Sequence, residues 1–244
     1  MKKRILFTIF VCCNILLIHA ESNQYVGFQL GFSQPITRLN SALPGEETTL
    51  NSTIYNGLKV GVVYDATIIK GFGFNMGLNY TFGGNQTDWK NLNTVSTAQR
   101  RLKRQYHQME LVVDWQYKFQ IAQNTWLILY TGPTLQYGFS MKEFTYDRIG
   151  PTQPDELKQD LTKNYYQDEI DSKYSPSSLK HLNVTWGLGA GFQFDRYFLR
   201  GGYDFGIINP YKTTIFEISD DYQPYTRGRF DQWQIKVGMY LWKF

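Results

Sequence analysis

Cysteine is almost missing from this sequence, because Cys12 and Cys13 are the only two and both lie within the first 20 residues. Past that point the chain can form no disulfide, thiol nucleophile or thiolate metal site. Histidine is scarce as well, with three residues in the whole chain, and no group of His, Asp and Glu has the spacing of metal ligands. The sequence therefore predicts no metal site and no cofactor.

Long apolar runs are also missing, except at the N-terminus. Residues 1–20 have three basic residues directly after Met1, continue through an apolar stretch and end at Ala20, which is the pattern of a cleaved secretory signal peptide. No later segment approaches the roughly 20 consecutive apolar residues that a membrane-spanning helix needs. The sequence thus predicts a signal peptide at 1–20, one domain at 21–244 and no transmembrane helix.

A large charge of either sign is missing too. Removing residues 1–20 takes away three of the 25 basic residues and none of the 21 acidic ones, so the formal charge falls from +4 to +1. A domain that binds nucleic acid needs a basic stripe or patch. The nearly neutral remainder argues against nucleic acid as a partner.

What the sequence does contain is a strict alternation of large apolar residues with small or polar ones. In GFGFNMGLNYTF, residues 71–82, a large apolar side chain occupies every second position, with glycine, asparagine or threonine between. A period of two residues is that of a β-strand. The pattern occurs eight times, and in NVTWGLGAGFQF, residues 183–194, it continues through the glycines. That continuity argues against a nucleotide-binding glycine loop at this point.

The polar face of these strands determines the predicted fold class. Its residues are glycines, amides and charged side chains, too small and too polar to make a dry core, whereas the opposite face is large and apolar. The connections are alternately long and short, as in outer-membrane barrels. In lipid a sheet has to close, because each backbone polar group needs a partner. The sequence predicts an all-β, eight-stranded, antiparallel up-and-down transmembrane β-barrel with four long extracellular loops and short periplasmic turns.

Charged residues on the polar face would lie in the lumen of this barrel. Six such residues are predicted to form a lumen charge network: Lys59, Glu110, Asp114, Arg200, Asp204 and Lys236. Glu110 and Asp114, four residues apart on one strand face, could instead be an acid and base pair. Because buried charges need partners, a structural network of ion pairs is favoured over catalysis.

Two segments between the predicted strands are candidates for contact with other molecules. The run QRRLKR at 99–104 carries Arg100, Arg101, Lys103 and Arg104. These side chains could pair with the phosphates of lipopolysaccharide, although a solvated rim is the more frequent outcome for such a run.

The second segment is the long loop at 142–180. It contains four tyrosines: Tyr146, Tyr165, Tyr166 and Tyr174. Long loops usually carry function or disorder, and tyrosine is enriched at protein interfaces. This loop is therefore the predicted surface for another envelope protein.

Several motifs resemble the PorT-like and OmpX-like outer-membrane β-barrel family over the whole predicted domain. They are YVGFQLGF at 25–32, GLGAGFQF at 187–194, RYFLRGGYDFGI at 196–207 and the C-terminal Phe244. The resemblance implies a place in the cell outer membrane, contact with outer-membrane lipid and lipopolysaccharide, and a link to protein secretion. It also implies that the barrel insertion machinery reads Phe244 as a signal. Trp242 and Phe244 are out of step with the apolar positions from Ile235 to Leu241, which either a β-bulge near residue 241 or a last residue extending past the membrane would explain.

Enzymatic activity is not predicted. Lipid A deacylases of the PagL type resemble this chain in size and use a His and a Ser two residues apart, but neither His107 nor His181 has a serine at that distance. His181 is predicted to face the lumen and His107 the rim. The predicted function is envelope interaction or assembly through displayed extracellular loops. A narrow porin-like transport protein is the alternative, and a lipid-modifying enzyme is third.

Overall fold

A computed structural model describes residues 23–42, 49–91, 98–149, 157–166, 179–210 and 225–244. The predicted signal peptide at 1–20 lies outside these ranges, and its cleavage stays a prediction. The described residues include no helix with the length and apolarity needed to cross a membrane.

Eleven β-strands make up the described architecture. They are β1 (Asn23–Ala42), β2 (Thr49–Ile54), β3 (Asn56–Ile69), β4 (Phe72–Gln86), β5 (Lys90–Asn91), β6 (Ala98–Ala122), β7 (Thr125–Ile149), β8 (Leu157–Asn164), β9 (Leu182–Phe194), β10 (Tyr197–Gly206) and β11 (Tyr225–Lys243). Eight of them, β1, β3, β4, β6, β7, β9, β10 and β11, each pair antiparallel with the next. Because β11 also pairs with β1, the sheet closes. The predicted eight-stranded up-and-down barrel is confirmed.

Three two-residue turns close one end of the barrel, after β3, β6 and β9. In the first of them Lys70 has a φ of 44° and Gly71 a φ of +90°. Two consecutive residues with positive φ give a hairpin turn whose twist matches that of the strands, and glycine adopts this conformation without steric cost. These are the short turns expected on the periplasmic side.

The strands extend much further at the other end than the alternation predicts. β6 and β7 contain 25 residues each, whereas a membrane crossing takes about 9–11. The basic run at 99–104 and residues 142–149, both predicted as loop, therefore belong to a hairpin that rises beyond the barrel. β2, β5 and β8 pair with β1, β6 and β7 at this end. The period-two signal fades here because a strand outside lipid has no need of a continuous apolar face.

Side chains separate by face as the sequence predicts. On the outer surface apolar residues are exposed, with relative areas of 61% for Leu30, 54% for Leu188 and 52% for Val237. On the inner surface glutamine, asparagine and charged side chains are buried. A continuous apolar surface of this extent has to be covered by another apolar phase, and for a closed barrel that phase is lipid.

The last strand contains a β-bulge near its end. Val26 pairs with Trp242 and Gly27 with Tyr240, so Leu241 is the extra residue. The bulge restores Trp242 to the outer surface, where 56% of it is exposed. Phe244 is 72% exposed, and its backbone N–H donates to the carbonyl oxygen of Gln24 at 2.9 Å. The bulge explains why Trp242 and Phe244 are out of step with the apolar positions up to Leu241. The role of Phe244 as an insertion signal stays a prediction.

Leu188→Arg tests the outward face of the barrel. Leu188 is central in β9, and a cation at the bilayer midplane costs about 2–4 kcal/mol. Leu182→Arg, at the extracellular end of the same strand, should cost about 0–1 kcal/mol, because the penalty falls towards the interface. Urea titration of the barrel in lipid vesicles measures both losses of unfolding free energy. Equal losses in the two variants would mean that Leu188 does not face the lipid interior.

Candidate functional site

Asp65 is the centre of a polar cluster in the periplasmic half of the lumen. It is completely buried, and its carboxylate forms ion pairs with Lys118 Nζ at 2.6 Å and Arg200 Nη2 at 2.9 Å. The side-chain amide of Gln116 and the hydroxyl of Tyr240 each donate to it at 2.9 Å. These four donors compensate the desolvation of one carboxylate.

A second cluster lies nearer the extracellular side. Lys59 Nζ donates to Glu110 at 2.5 Å and to Gln234 at 2.6 Å. Gln108 donates to the other carboxylate oxygen of Glu110 at 2.7 Å, and Gln234 donates in turn to Asp204 at 2.9 Å. Side chains from several different strands are thus joined across the lumen.

The six predicted lumen charges are all inside the barrel, each with 3% or less of its surface exposed. Lys59 and Glu110 pair with each other, whereas Arg200 pairs with Asp65. Asp114 Oδ2 is buried and has no hydrogen-bond partner among the described residues. Lys118 and Asp65, which sequence reasoning left out of the network, were detectable, since both are in phase with the polar positions of their strands.

The lumen has little free space. Gly189, on the inner face of β9, shows why glycine is needed there: a Cβ at this position would meet the ring of Tyr130 and the carbonyl oxygen of Gly201. Glycines on the inner face therefore make room for the large side chains of neighbouring strands. The part of the lumen that the described residues line is packed with buried side chains.

Aromatic residues bound the polar lumen at both ends. At the periplasmic end, Val63, Phe198 and Tyr240 form a buried cluster against which Tyr25 packs. At the extracellular end a second buried cluster consists of Tyr55, Tyr106, Met141 and Leu179, with Tyr165 and Tyr166 packed against it. Sequence reasoning missed the second cluster because most of its residues lie in segments that were predicted as loops.

The tyrosines predicted for partner contact have different surroundings. Tyr165 donates to Glu143 at 2.8 Å, and burial raises the pKa of Tyr166 to about 12. Both side chains help to close the extracellular mouth and are not displayed on a free loop. Tyr146 lies beneath the guanidinium of Arg101, 5.3 Å from ring centroid to Cζ. Tyr174 lies outside the described residues.

The two histidines of the described chain both contact tyrosines. His107 Nδ1 lies 2.7 Å from the hydroxyl of Tyr80 on the outer surface. His181 stacks between Tyr137 and Tyr166, with ring centroids 5.4 and 4.9 Å away. His181 is exposed and lines a small cavity together with buried lumen residues, so it lies at the mouth of the lumen and not in its buried interior. Its place in the connection before β9 puts it beyond the last lumen-facing position of that strand.

Two of the four basic residues at 99–104 are neutralised across the β6–β7 hairpin. Arg100 donates two hydrogen bonds to Asp147, at 2.8 and 2.9 Å, and these bonds lower the pKa of Asp147 below its usual value. Arg104 forms an ion pair with Glu143. Both pairs join directly opposite positions of β6 and β7, so they brace the hairpin.

The other two basic residues lie on the opposite face of β6, because neighbouring residues of a strand alternate. The guanidinium of Arg101 lies over the rings of Trp89 and Tyr146. Lys103 is half-buried, and none of the described carboxylates forms an ion pair with it. The run at 99–104 is therefore not one basic patch, and Lys103 retains a charge that a ligand could neutralise.

The closed ring, apolar outside and polar inside, defines the class as a transmembrane β-barrel of an outer membrane. The chain matches the family described as outer membrane protein beta-barrel domain over residues 20–212. Because the match spans most of the chain, the protein belongs to this family. Its place is the outer membrane of a Gram-negative cell envelope.

Several solved structures are similar to the chain at low sequence identity. Ail, the attachment invasion locus protein of Yersinia pestis, is 11% identical, with 90% of this chain and 99% of that chain covered and a TM-score of 0.34. Neisserial surface protein A is 11% identical, with coverage of 88% and 97% and a TM-score of 0.34. The translocator domain of autotransporter NalP from Neisseria meningitidis is 10% identical, with coverage of 98% and 95% and a TM-score of 0.36. The comparison with curated proteins gave no match.

Asp65→Ala should destabilise the barrel strongly. The change leaves Lys118 and Arg200 buried without their carboxylate, and breaking a buried ion pair in this way costs about 3–5 kcal/mol. Asp88→Ala removes an exposed carboxylate and should be nearly neutral. Urea titration of the protein refolded in vesicles measures both free energies. Similar stabilities of the two variants would rule out Asp65 as the main support of the lumen network.

Proposed function

We propose that the protein is an envelope interaction or assembly protein, in which the barrel anchors an extracellular surface that binds another envelope component. The observation that carries the proposal is the contrast between a packed lumen and a hairpin that extends beyond it. The described part of the lumen is filled by buried polar side chains, many of them hydrogen-bonded to one another, and is bounded by aromatic clusters, which leaves little space for a transport path. The β6–β7 hairpin, by contrast, uses more than twice the residues that a crossing requires.

The hairpin has the properties of a rigid platform. Its two strands are joined by the ion pairs Arg100–Asp147 and Arg104–Glu143, and Arg101 is held between two aromatic rings. A preordered surface loses less conformational entropy on binding than a free loop does. β8 extends the hairpin sheet from the side of β7, so the platform is wider than two strands.

A link to protein secretion is part of this proposal. It is supported by the resemblance of the sequence motifs to PorT-like barrels. A partner in a secretion assembly would be a protein of the same envelope. We infer further that residues 1–20 are removed as a signal peptide, and that the insertion machinery recognises the end of β11 with Phe244.

Lipopolysaccharide is proposed as a second contact. Of the four basic residues at 99–104, Arg100 and Arg104 are occupied by carboxylates on the hairpin. Lys103 faces outward from the barrel wall, and a half-buried cation without a carboxylate suits a phosphate. The contact would orient the hairpin relative to the membrane surface.

Site-specific photo-crosslinking in intact cells tests the proposed partner surface. A photoreactive phenylalanine derivative at Tyr146, on the hairpin, should give a discrete protein adduct of constant mass. The matched control is the same residue at Tyr197, which is 61% exposed at the periplasmic end of the barrel and should give lipid adducts alone. Mass spectrometry identifies the adducts. Absence of a discrete adduct at position 146, with normal folding, would contradict the display function.

Conductance in planar bilayers tests the packed lumen. The purified barrel should give no steady conductance above the bilayer background, because charged and aromatic side chains fill its interior. The double variant Lys59→Ala with Glu110→Ala, which removes both members of one buried ion pair, serves as the comparison. Stable open levels for the unaltered protein would favour the narrow transport function over display.

A further inference from the structure

The outer surface of the barrel has a groove at the point where its apolar band ends. Three residues that are neighbours in the register form the floor: Asn56, Gly84 and Gln105. The row directly below, towards the membrane, consists of Leu58, Phe82 and His107. Since Gly84 has no side chain, the row is interrupted in its middle. The resulting groove is open and has a volume of about 750 Å³.

The groove lies on the face that points away from the lumen. Leu58 and Phe82, one row below, are 56% and 40% exposed on the apolar outer surface. Asn56 and Gln105 share that face because paired neighbours in an antiparallel sheet point the same way. The next row above pairs Gln86 with Lys103. The groove therefore separates apolar wall from polar wall, at the height of the lipid headgroups.

The chemistry of the lining is polar and cationic. Side-chain amides come from Asn56, Gln86 and Gln105, and the cation is Lys103. No acidic side chain lines the groove in the part of the chain that the structure describes. The Arg104 side chain is turned towards Glu143 on the other face, so Lys103 is the charged group that a ligand would meet. Amides suit the hydroxyl groups of sugars, and an ammonium group suits phosphate.

We propose that this groove binds the phosphorylated sugar headgroup of an outer-leaflet glycolipid of the lipid A class. The sugar ring occupies the gap above Gly84 between the amides of Asn56 and Gln105, and its phosphate pairs with Lys103. The acyl chains continue downward over Leu58 and Phe82. The proposal rests on the proposed lipopolysaccharide contact and gives that contact a defined place, on β3, β4 and β6.

The ligand follows from position as well as from chemistry. A groove in the outer wall of an outer-membrane barrel, at the extracellular border of the apolar band, faces the headgroups of the outer leaflet. Its lower wall is apolar and its upper wall is polar, as a molecule with acyl chains below and a phosphosugar above requires. A soluble phosphate or sugar would make no use of the apolar row.

Binding of purified lipid A to the refolded barrel in detergent micelles tests the groove. Native mass spectrometry compares phosphorylated lipid A, its fully dephosphorylated form and inorganic phosphate. Lys103→Gln should weaken binding of phosphorylated lipid A about tenfold, the loss expected for one charge-assisted contact. Gln105→Leu, which changes no charge, should weaken it by a smaller factor. The control Lys90→Gln removes an exposed cation on β5, outside the groove, and should leave binding unchanged.

The possible outcomes distinguish the proposed groove from the proposed lipopolysaccharide contact on which it rests. If Lys103→Gln weakens binding of phosphorylated lipid A while Gln105→Leu leaves it unchanged, the groove is wrong and the lipopolysaccharide contact through Lys103 stands. If Lys103→Gln behaves like Lys90→Gln, or if the dephosphorylated lipid binds equally well, both the groove and the contact through Lys103 are wrong. Displacement of lipid A by millimolar inorganic phosphate would assign the site to free phosphate instead. The mobility of unheated protein on a denaturing gel verifies that each variant is folded.

Discussion

The whole architecture depends on the hydrogen bonds of the backbone in lipid. A bilayer interior offers no partner to an N–H or C=O group, so a sheet that crosses it has to pair its last strand with its first. Here that pairing is between β11 and β1, and it runs from Tyr25 and Lys243 to Ala42 and Tyr225. The β-bulge at Leu241 is compatible with this closure, because it lies next to the end of the chain where the membrane interface is reached.

Closure creates the second constraint, which is the filling of the interior. An eight-stranded barrel has an interior that side chains can just fill, and because the outer face takes the apolar residues, the inner face is left with polar ones. Polar groups without water need partners. Asp65 and Glu110 meet this need by drawing cations from other strands: Lys118 and Arg200 to the first, Lys59 to the second. The network is a consequence of membrane insertion and requires no catalytic explanation.

The membrane-spanning part could be predicted from the sequence because lipid imposes a period of two on every strand. Residues 71–82 follow it without exception, and their outward and inward positions are those of the structure. The pairing of charges could not be predicted, since the alternation shows which face of the strand Asp65 lies on but not which side chains meet it across the lumen. The extension of β6 and β7 beyond the membrane could not be predicted either. Arg100 and Asp147 pair there in water, where the strands need no apolar face and the alternation is lost.

The alternation of side chains along a strand also divides the basic residues of β6 on the extracellular side of the membrane. On β6 it directs Arg100 and Arg104 to one face, where Asp147 and Glu143 neutralise them, and turns Lys103 to the other. A run of four basic residues is thereby divided into structural ion pairs and one outward cation beside Gly84. Sequence proximity suggested a single anion site, but on a strand neighbouring residues point apart. The residues that can share a ligand with Lys103 are instead those of the adjacent strands, which is why the candidate groove is built across β3, β4 and β6 and not along the basic run.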